Sequence, residues 1–237
     1  MNGSADSVVA IIPARGGSDR IPRKNVALLA GEPLIAHTLR HAASARHVSE
    51  IYVSTDDDEI ADISAHGGAC IVRRPGSISG AKASSESALL HVLDERRRTG
   101  LADPDLVVFL QCTSPVRESD DIDRAVETLI AEDADSLLSV CRNARFIWHR
   151  VGDSAESYNY DYRHRKMEQD LDPQFVENGS IYLSRTGLLR ETGNRLGGRI
   201  ALHVMDYWSA FQVDEPEDLA LIDWILTKGP RGSAAYS

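Results

Sequence analysis

The sequence has no apolar run of about 18 residues, the length that a helix needs to cross a membrane. It has no basic excess either. Lys and Arg number 26 against 36 Asp and Glu, a net charge of −10, which argues against a nucleic-acid or anionic-membrane partner. Cysteine is scarce and unpaired in pattern. Cys70, Cys112 and Cys141 lie far apart with no C-x-x-C spacing, so neither a zinc knuckle nor a disulfide framework is expected. A reducing compartment fits, and the polar start MNGSADS carries no apolar signal core; the cytoplasm is the expected location. Two phosphate-binding signatures are also missing: G-x-x-x-x-G-K-[ST] and G-x-G-x-x-G.

What is present is an alternation of short apolar strands and helical segments. Strands are expected at Val8–Ile12, Ile51–Ser54, Ala69–Val72, Leu106–Leu110, Ser136–Val140, Gly179–Ser184 and Arg199–Val204. Helices are expected at Pro33–Ser44, after an Asp56 cap, at Ser84–Arg98, at Asp120–Ala131 and at Pro216–Thr227. Leu106–Leu110 is apolar throughout, as a central strand covered on both faces should be. The pattern predicts an α/β fold, a Rossmann-like, mostly parallel sheet with helices on both faces, in one domain over 1–237. The rhythm breaks at 143–172, a polar stretch holding SYNYDYRHRKMEQD, too long for a simple connection. Its expected role is an arm that orders against a second subunit, with Tyr158, Tyr160 and Tyr162 as a short strand or a subunit contact. The end, 229–237, is expected to be flexible. His37, His41, His66 and His91 fall in helical segments and read as surface or packing residues.

Three unusual stretches follow strand ends, where ligands of open α/β sheets bind: PARGGSDRIPRKN, QCTSPVR and QVDEPED. The first joins Gly16 and Gly17 to Arg15, Arg20, Arg23 and Lys24, the backbone donors and cations that a polyphosphate requires. Taken alone, it is also compatible with a solvated turn. The acids of QVDEPED offer Asp214 as a metal ligand or, more simply, as a helix-end charge.

In order along the chain, IIPARGGS-RIPRKN, VSTDD, the RP…SS stretch between Arg74 and Ser85, Q-TSP-R, ENGSIYL and D-PEDL resemble the CMP-sialic acid synthetases, or acylneuraminate cytidylyltransferases. The likeness runs from about residue 8 to 228. It implies transfer of CMP from CTP to an acidic acceptor with release of pyrophosphate, Mg²⁺ as cofactor, and a homodimer. It also implies roles. Arg15 and Lys24 would hold the triphosphate and, with Asp214, carry catalysis. Ala14, Gly16, Gly17, Ser18 and Asn25 would complete the nucleotide cradle, with Arg74 and Ser84 near the cytidine. Gln111, Thr113, Ser114, Asn178 and Lys82 would face the acceptor, and Asp214 would bind Mg²⁺.

The chain departs from the family's usual pattern at four points: Asp19 replaces a lysine, Ala81 an acid, Glu168 an arginine and Gln212 the first acid of a D-x-D metal pair. Lys82 and the run Arg163–Lys166 are candidates to compensate. The implied acceptor is a nonulosonic acid. The alternatives are another acidic acceptor, such as a phosphonate or a different keto sugar acid, and a non-catalytic nucleotide-binding relative.

Overall fold

Five of the six residues of the first strand, β1 (Val8–Pro13), are buried, and its side chains divide by parity. Val8, Ala10 and Ile12 enter one apolar cluster, Val9 and Ile11 another on the opposite face. This is the period-two alternation of a strand with both faces covered. The chain is described from a computed structural model covering residues 6–18, 20–80, 82–167 and 170–229. Asp19, Ala81, Glu168 and the 230–237 part of the expected tail lie outside the described residues.

After β1 come a short ribbon, β2 (Leu28–Leu29) and β3 (Glu32–Pro33), then α1 (Leu34–Ser44), β4 (Val48–Thr55), α2 (Asp58–His66), β5 (Cys70–Arg73) and α3 (Ser85–Arg98). Next are β6 (Leu106–Leu110), α4 (Asp121–Ala131), β7 (Ser136–Arg142) and a hairpin of β8 (Trp148–Val151) and β9 (Ser154–Ser157). The chain ends with β10 (Phe175–Arg185), α5 (Thr186–Thr192), β11 (Ile200–Met205) and α6 (Pro216–Thr227).

Seven strands form the main sheet in the order β11-β7-β10-β6-β1-β4-β5. Residues of α1, α4 and α6, among them Leu34, Ile122 and Ile222, join the cluster on one face; Leu89, Leu93 and Leu189 of α3 and α5 join the other. Pairing is parallel except for β10, which runs antiparallel to both β6 and β7. Strand–helix alternation does not reveal that reversal. Between β7 and β10 the chain returns through the hairpin segment, and an antiparallel neighbour needs no helical crossover. β1 lies between β4 and β6, so successive units leave it in opposite directions. The crevice past its carboxyl end is the switch point of the sheet.

The arm region is built differently. All four residues of β8 are exposed, and β9 stops at Ser157. Tyr158, Tyr160 and Tyr162 therefore follow the hairpin and do not form a strand of their own.

Candidate active site

The loop after β1 is anchored on both sides. Gly16 N–H donates to Asp56 Oδ1 at 2.9 Å, and Asn25 Nδ2 donates to the Arg15 carbonyl at 2.9 Å. Arg15 itself reaches across the crevice and donates to the Gly80 carbonyl at 3.0 Å. Asp56 was expected to cap α2, but Asp57 does so, accepting from Ile60 N–H at 3.0 Å. The chain needs one more extended residue before it can turn into the helix, so the second acid lands at the cap.

Arg23 adopts a left-handed conformation, φ +53°. Its guanidinium turns outward to Asp57 at 3.3 Å and to Glu59. Lys24, the next residue, turns inward. Its Nζ donates to the Val213 carbonyl at 2.9 Å and sits 3.2 Å from Asp214 Oδ1. The Asp218 carboxylate accepts from the backbone N–H groups of Asp214 and Glu215, fixing the end of the segment that carries Asp214. Proline at the first turn of α6 suits the same boundary.

Arg15, Lys24, Asn25, Gly80 and Asp214 line one cavity of about 530 Å³. It gathers the three strand-end stretches of the sequence and the Arg74–Ser85 segment. Of the candidates, Arg15, Gly17, Ser18, Lys24, Asn25, Arg74, Ser84, Gln111, Thr113 and Asp214 line it. Arg74 is held by Ser54, donating to its hydroxyl at 3.1 Å and its carbonyl at 2.7 Å. Burial lowers the Arg74 pKa from the ordinary arginine value, and Asp56 opposes that shift. Ser84 caps α3, accepting from Ser87 N–H at 3.2 Å, and so presents the helix start to the cavity.

Five candidates are not on the cavity wall. Ala14 is buried beneath it, and Lys82 is exposed away from it. Ser114 and Asn178, each 1 % exposed, spend their polar atoms internally. Ser114 Oγ donates to the Asn178 carbonyl at 3.0 Å, Ser139 Oγ donates to Asn178 Oδ1 at 2.6 Å, and Asn178 Nδ2 donates to Met205 Sδ at 3.1 Å. They are the buttress behind Gln111 and Thr113. Gly16 also faces away, toward Asp56 and Asp57.

The cavity holds residues that sequence reasoning did not place there. Phe109 and Cys112 line it, both nearly buried. Burial pushes the Cys112 thiol up to about 12, so it stays protonated at neutral pH and is no nucleophile. Arg20, one of the loop cations offered to a polyphosphate but not assigned a site role, also contributes to the wall and bridges Glu215 at 3.0 Å. Arg117, the cation of Q-TSP-R, is buried. It donates to the carbonyls of Gln111 and Ser180, each at 2.9 Å, tying the β6 loop to β10. The signal for it was present, since an arginine two residues after a proline in a polar turn has few apolar reasons to exist.

Among the described residues no cluster of three His, Cys, Asp or Glu side chains is arranged to hold a metal. Asp214 is a single carboxylate beside Lys24, and the Gln212 side chain packs toward Gly179.

The sequence pattern of the cytidylyltransferases matches residues 9–190. The chain belongs to the cytidylyltransferase family. It is 34% identical over 221 residues to N-acylneuraminate cytidylyltransferase A of Danio rerio, covering 92% of this chain and 49% of that protein. It is 34% identical over 232 residues to the CMP-N,N'-diacetyllegionaminic acid synthase of Legionella pneumophila subsp. pneumophila, covering 93% of this chain and 94% of that one. The chain thus spans about half the length of the animal relatives and nearly all of the bacterial one. A solved CMP:2-keto-3-deoxy-manno-octonic acid synthetase complexed with CTP shares the fold, with TM-score 0.70 and 16% identity over 94% of this chain and 99% of that one. A 4-diphosphocytidyl-2C-methyl-D-erythritol synthase does so with TM-score 0.68 and 15% identity, over 94% of this chain and 100% of that one.

Proposed function

We propose that this chain transfers CMP from CTP to an acidic acceptor, a nonulosonic acid, and releases pyrophosphate. The observation that carries the proposal is the cavity at the switch point, whose wall brings Arg15, Arg20 and Lys24 together with Asp214 and Gly17 of the glycine loop. In this reading Arg15, Lys24, Ser18 and the Gly17 backbone hold the triphosphate, and Asn25 keeps the Arg15 backbone in place. Arg74 and Ser84 face the cytidine, Gln111 and Thr113 the acceptor. Ser114 and Asn178 act through the buried network behind them. An acceptor oxygen attacks the α-phosphorus, the bond to the β-phosphate breaks, and charge accumulates on the equatorial and leaving oxygens. Fixed cations shielded from bulk water stabilise that charge strongly.

Asp214 is the residue that would hold Mg²⁺. Its carboxylate is half-exposed toward the cavity and its backbone is tied by Asp218, a donor set of hard oxygen. One carboxylate suits an ion that takes its remaining ligands from phosphates and water. Held by Asp214, such an ion would supply positive charge where negative charge builds up. A second acceptor class, a phosphonate or another keto sugar acid, is the alternative, motivated by the four departures from the family's pattern at Asp19, Ala81, Glu168 and Gln212. Homodimerisation through 143–172 and a cytoplasmic location complete the proposal. The arm's exposed Trp148 and Tyr158 support the first.

Pyrophosphate release, measured with CTP against ATP, GTP and UTP over a panel of acidic acceptors, tests this. Turnover is expected with CTP and a nonulosonic acid. Comparable turnover with all four nucleotides, or CTP binding with no acceptor used, would refute it.

A further inference from the structure

The glycine loop owes its shape to two acids that are not part of it. β4 ends at Thr55, and Asp56 and Asp57 follow directly. Asp56 takes the Gly16 N–H. Asp57 makes three contacts at once: it caps α2, it receives the Arg23 guanidinium, and its carboxylate fills the space over Gly16. A Cβ at position 16 would lie 2.7 Å from Asp57 Oδ2 and 2.9 Å from Asp57 Cβ, closer than atoms approach. On the far side of the loop, Arg23 holds a left-handed backbone that a non-glycine residue keeps only when its surroundings over-determine it. That turn is what sends Arg23 out to Asp57 and Lys24 into the cavity.

We infer that Asp57, with Asp56 beside it, is the positioning residue of the anion-binding loop, acting through Gly16 and Arg23 without touching the nucleotide. The inference takes its ligand from the CTP reading and its geometry from the loop alone. It also accounts for an acid standing behind a cradle for anions. The Ile60 N–H, and after it Arg23, hold the Asp57 carboxyl below its ordinary range against the opposing effect of burial, and the arginine offsets its charge.

The test couples Gly16 to Asp57. Gly16→Ala, Asp57→Gly and the double variant are titrated with tripolyphosphate and with CTP by calorimetry, and each is melted thermally. Glycine at 57 removes the three atoms nearest to a Cβ at 16, all of the Asp57 side chain, and remains an acceptable helix cap. Gly16→Ala is expected to weaken tripolyphosphate binding about tenfold in the parent, and less than about threefold in the Asp57→Gly background. Arg23→Gln alone should weaken it more than Arg23→Gln with Asp57→Asn, because the single variant leaves an unpaired carboxylate behind the loop. An equal loss for Gly16→Ala in both backgrounds, even with lowered melting temperatures, overturns the inference, since a merely structural acid gives no coupling in affinity. A parent that binds tripolyphosphate without preferring CTP overturns the nucleotide reading alone. A parent that binds neither overturns both.

Discussion

The sheet body and the hairpin arm use aromatic and charged residues in opposite ways. In the body, Phe109 stacks on Tyr182 with centroids 5.3 Å apart, both 2% exposed, and the Arg195 guanidinium lies 4.4 Å from the Tyr182 ring centre. In the arm, Phe146, Trp148, Tyr160 and Tyr162 also touch one another, and Arg165 covers Phe146 at 4.1 Å. Yet Trp148 is 47% exposed and Tyr158 73%. The body buries its rings against its own strands. The arm arranges similar contacts around a two-stranded hairpin whose residues are almost all exposed. Large apolar rings left in water mark a surface meant for something else. The arm's rings contact one another yet stay largely exposed, which is the composition the proposed subunit contact would use.

The largest difference between the two regions should appear in stability. Leu129 of α4 is fully buried beneath the sheet, and its replacement by alanine is expected to cost about 2–5 kcal/mol. Trp148→Ala should cost less than about 1 kcal/mol of monomer stability, because its ring contacts are exposed. It should instead weaken self-association, seen as a lower mass by sedimentation. Equal losses in denaturant melts would break the comparison and make the arm part of the core.

Next in size is the effect on catalysis of residues that face the cavity. Lys24→Ala and Arg15→Ala are each expected to lower kcat/KM by about 2.7–4 kcal/mol, the value of one oriented donor. Lys24 is only 15% exposed and is positioned by Val213 and Asp214. Arg20, 63% exposed and paired with an equally open Glu215, should cost about tenfold or less, since exposed pairs are weak. If Arg20→Ala proved the most damaging in steady-state kinetics, the loop would bind its ligand along a different line.

The same contrast decides what was legible in the sequence. β1 and β6 could be read because continuous apolar runs have one use in a small domain, as strands covered on both faces. The convergence of three loops on one cavity followed from where those strands end. The antiparallel course of β10 was not readable, because strand direction depends on the connection and not on the strand's own residues. Ser114 and Asn178 were expected to face the acceptor because the motifs that carry them, Q-TSP-R and ENGSIYL, match the family's. Their burial, which only the placement of β10 between β6 and β7 reveals, turns the same hydroxyl and amide inward. Adjacent acids such as Asp56 and Asp57 present a similar ambiguity. Either suits a helix cap by composition, and backbone geometry alone assigns one to the helix and the other to Gly16.

The smallest effect concerns acid and the packing of α1. His41 is largely enclosed, and burial, with Arg117, Arg40 and His37 nearby, pushes its pKa down to about 3; Asp121 opposes the shift. Burial lowers His37 as well, while its Nε2 lies 2.8 Å from the Leu29 carbonyl. A histidine whose folded pKa lies below its unfolded value of about 6.5 binds fewer protons when folded. Its contribution to stability is therefore complete above about pH 6.5 and declines as pH falls toward 3. The slope cannot exceed about 1.4 kcal/mol per pH unit for one such group. Asp121 reinforces the trend at the acid end, since its carboxyl is lowered by His203, the Glu118 N–H and Arg124 despite burial, and stability is lost as it protonates. Thermal melts of the parent should drop between pH 6.5 and 4.5, and His41→Gln should flatten that drop while leaving the neutral-pH value within about 1 kcal/mol. The exposed rings of the arm take no part in this, so Trp148→Ala should shift the whole curve without changing its slope. A slope unchanged by His41→Gln would assign the acid sensitivity to the carboxylates.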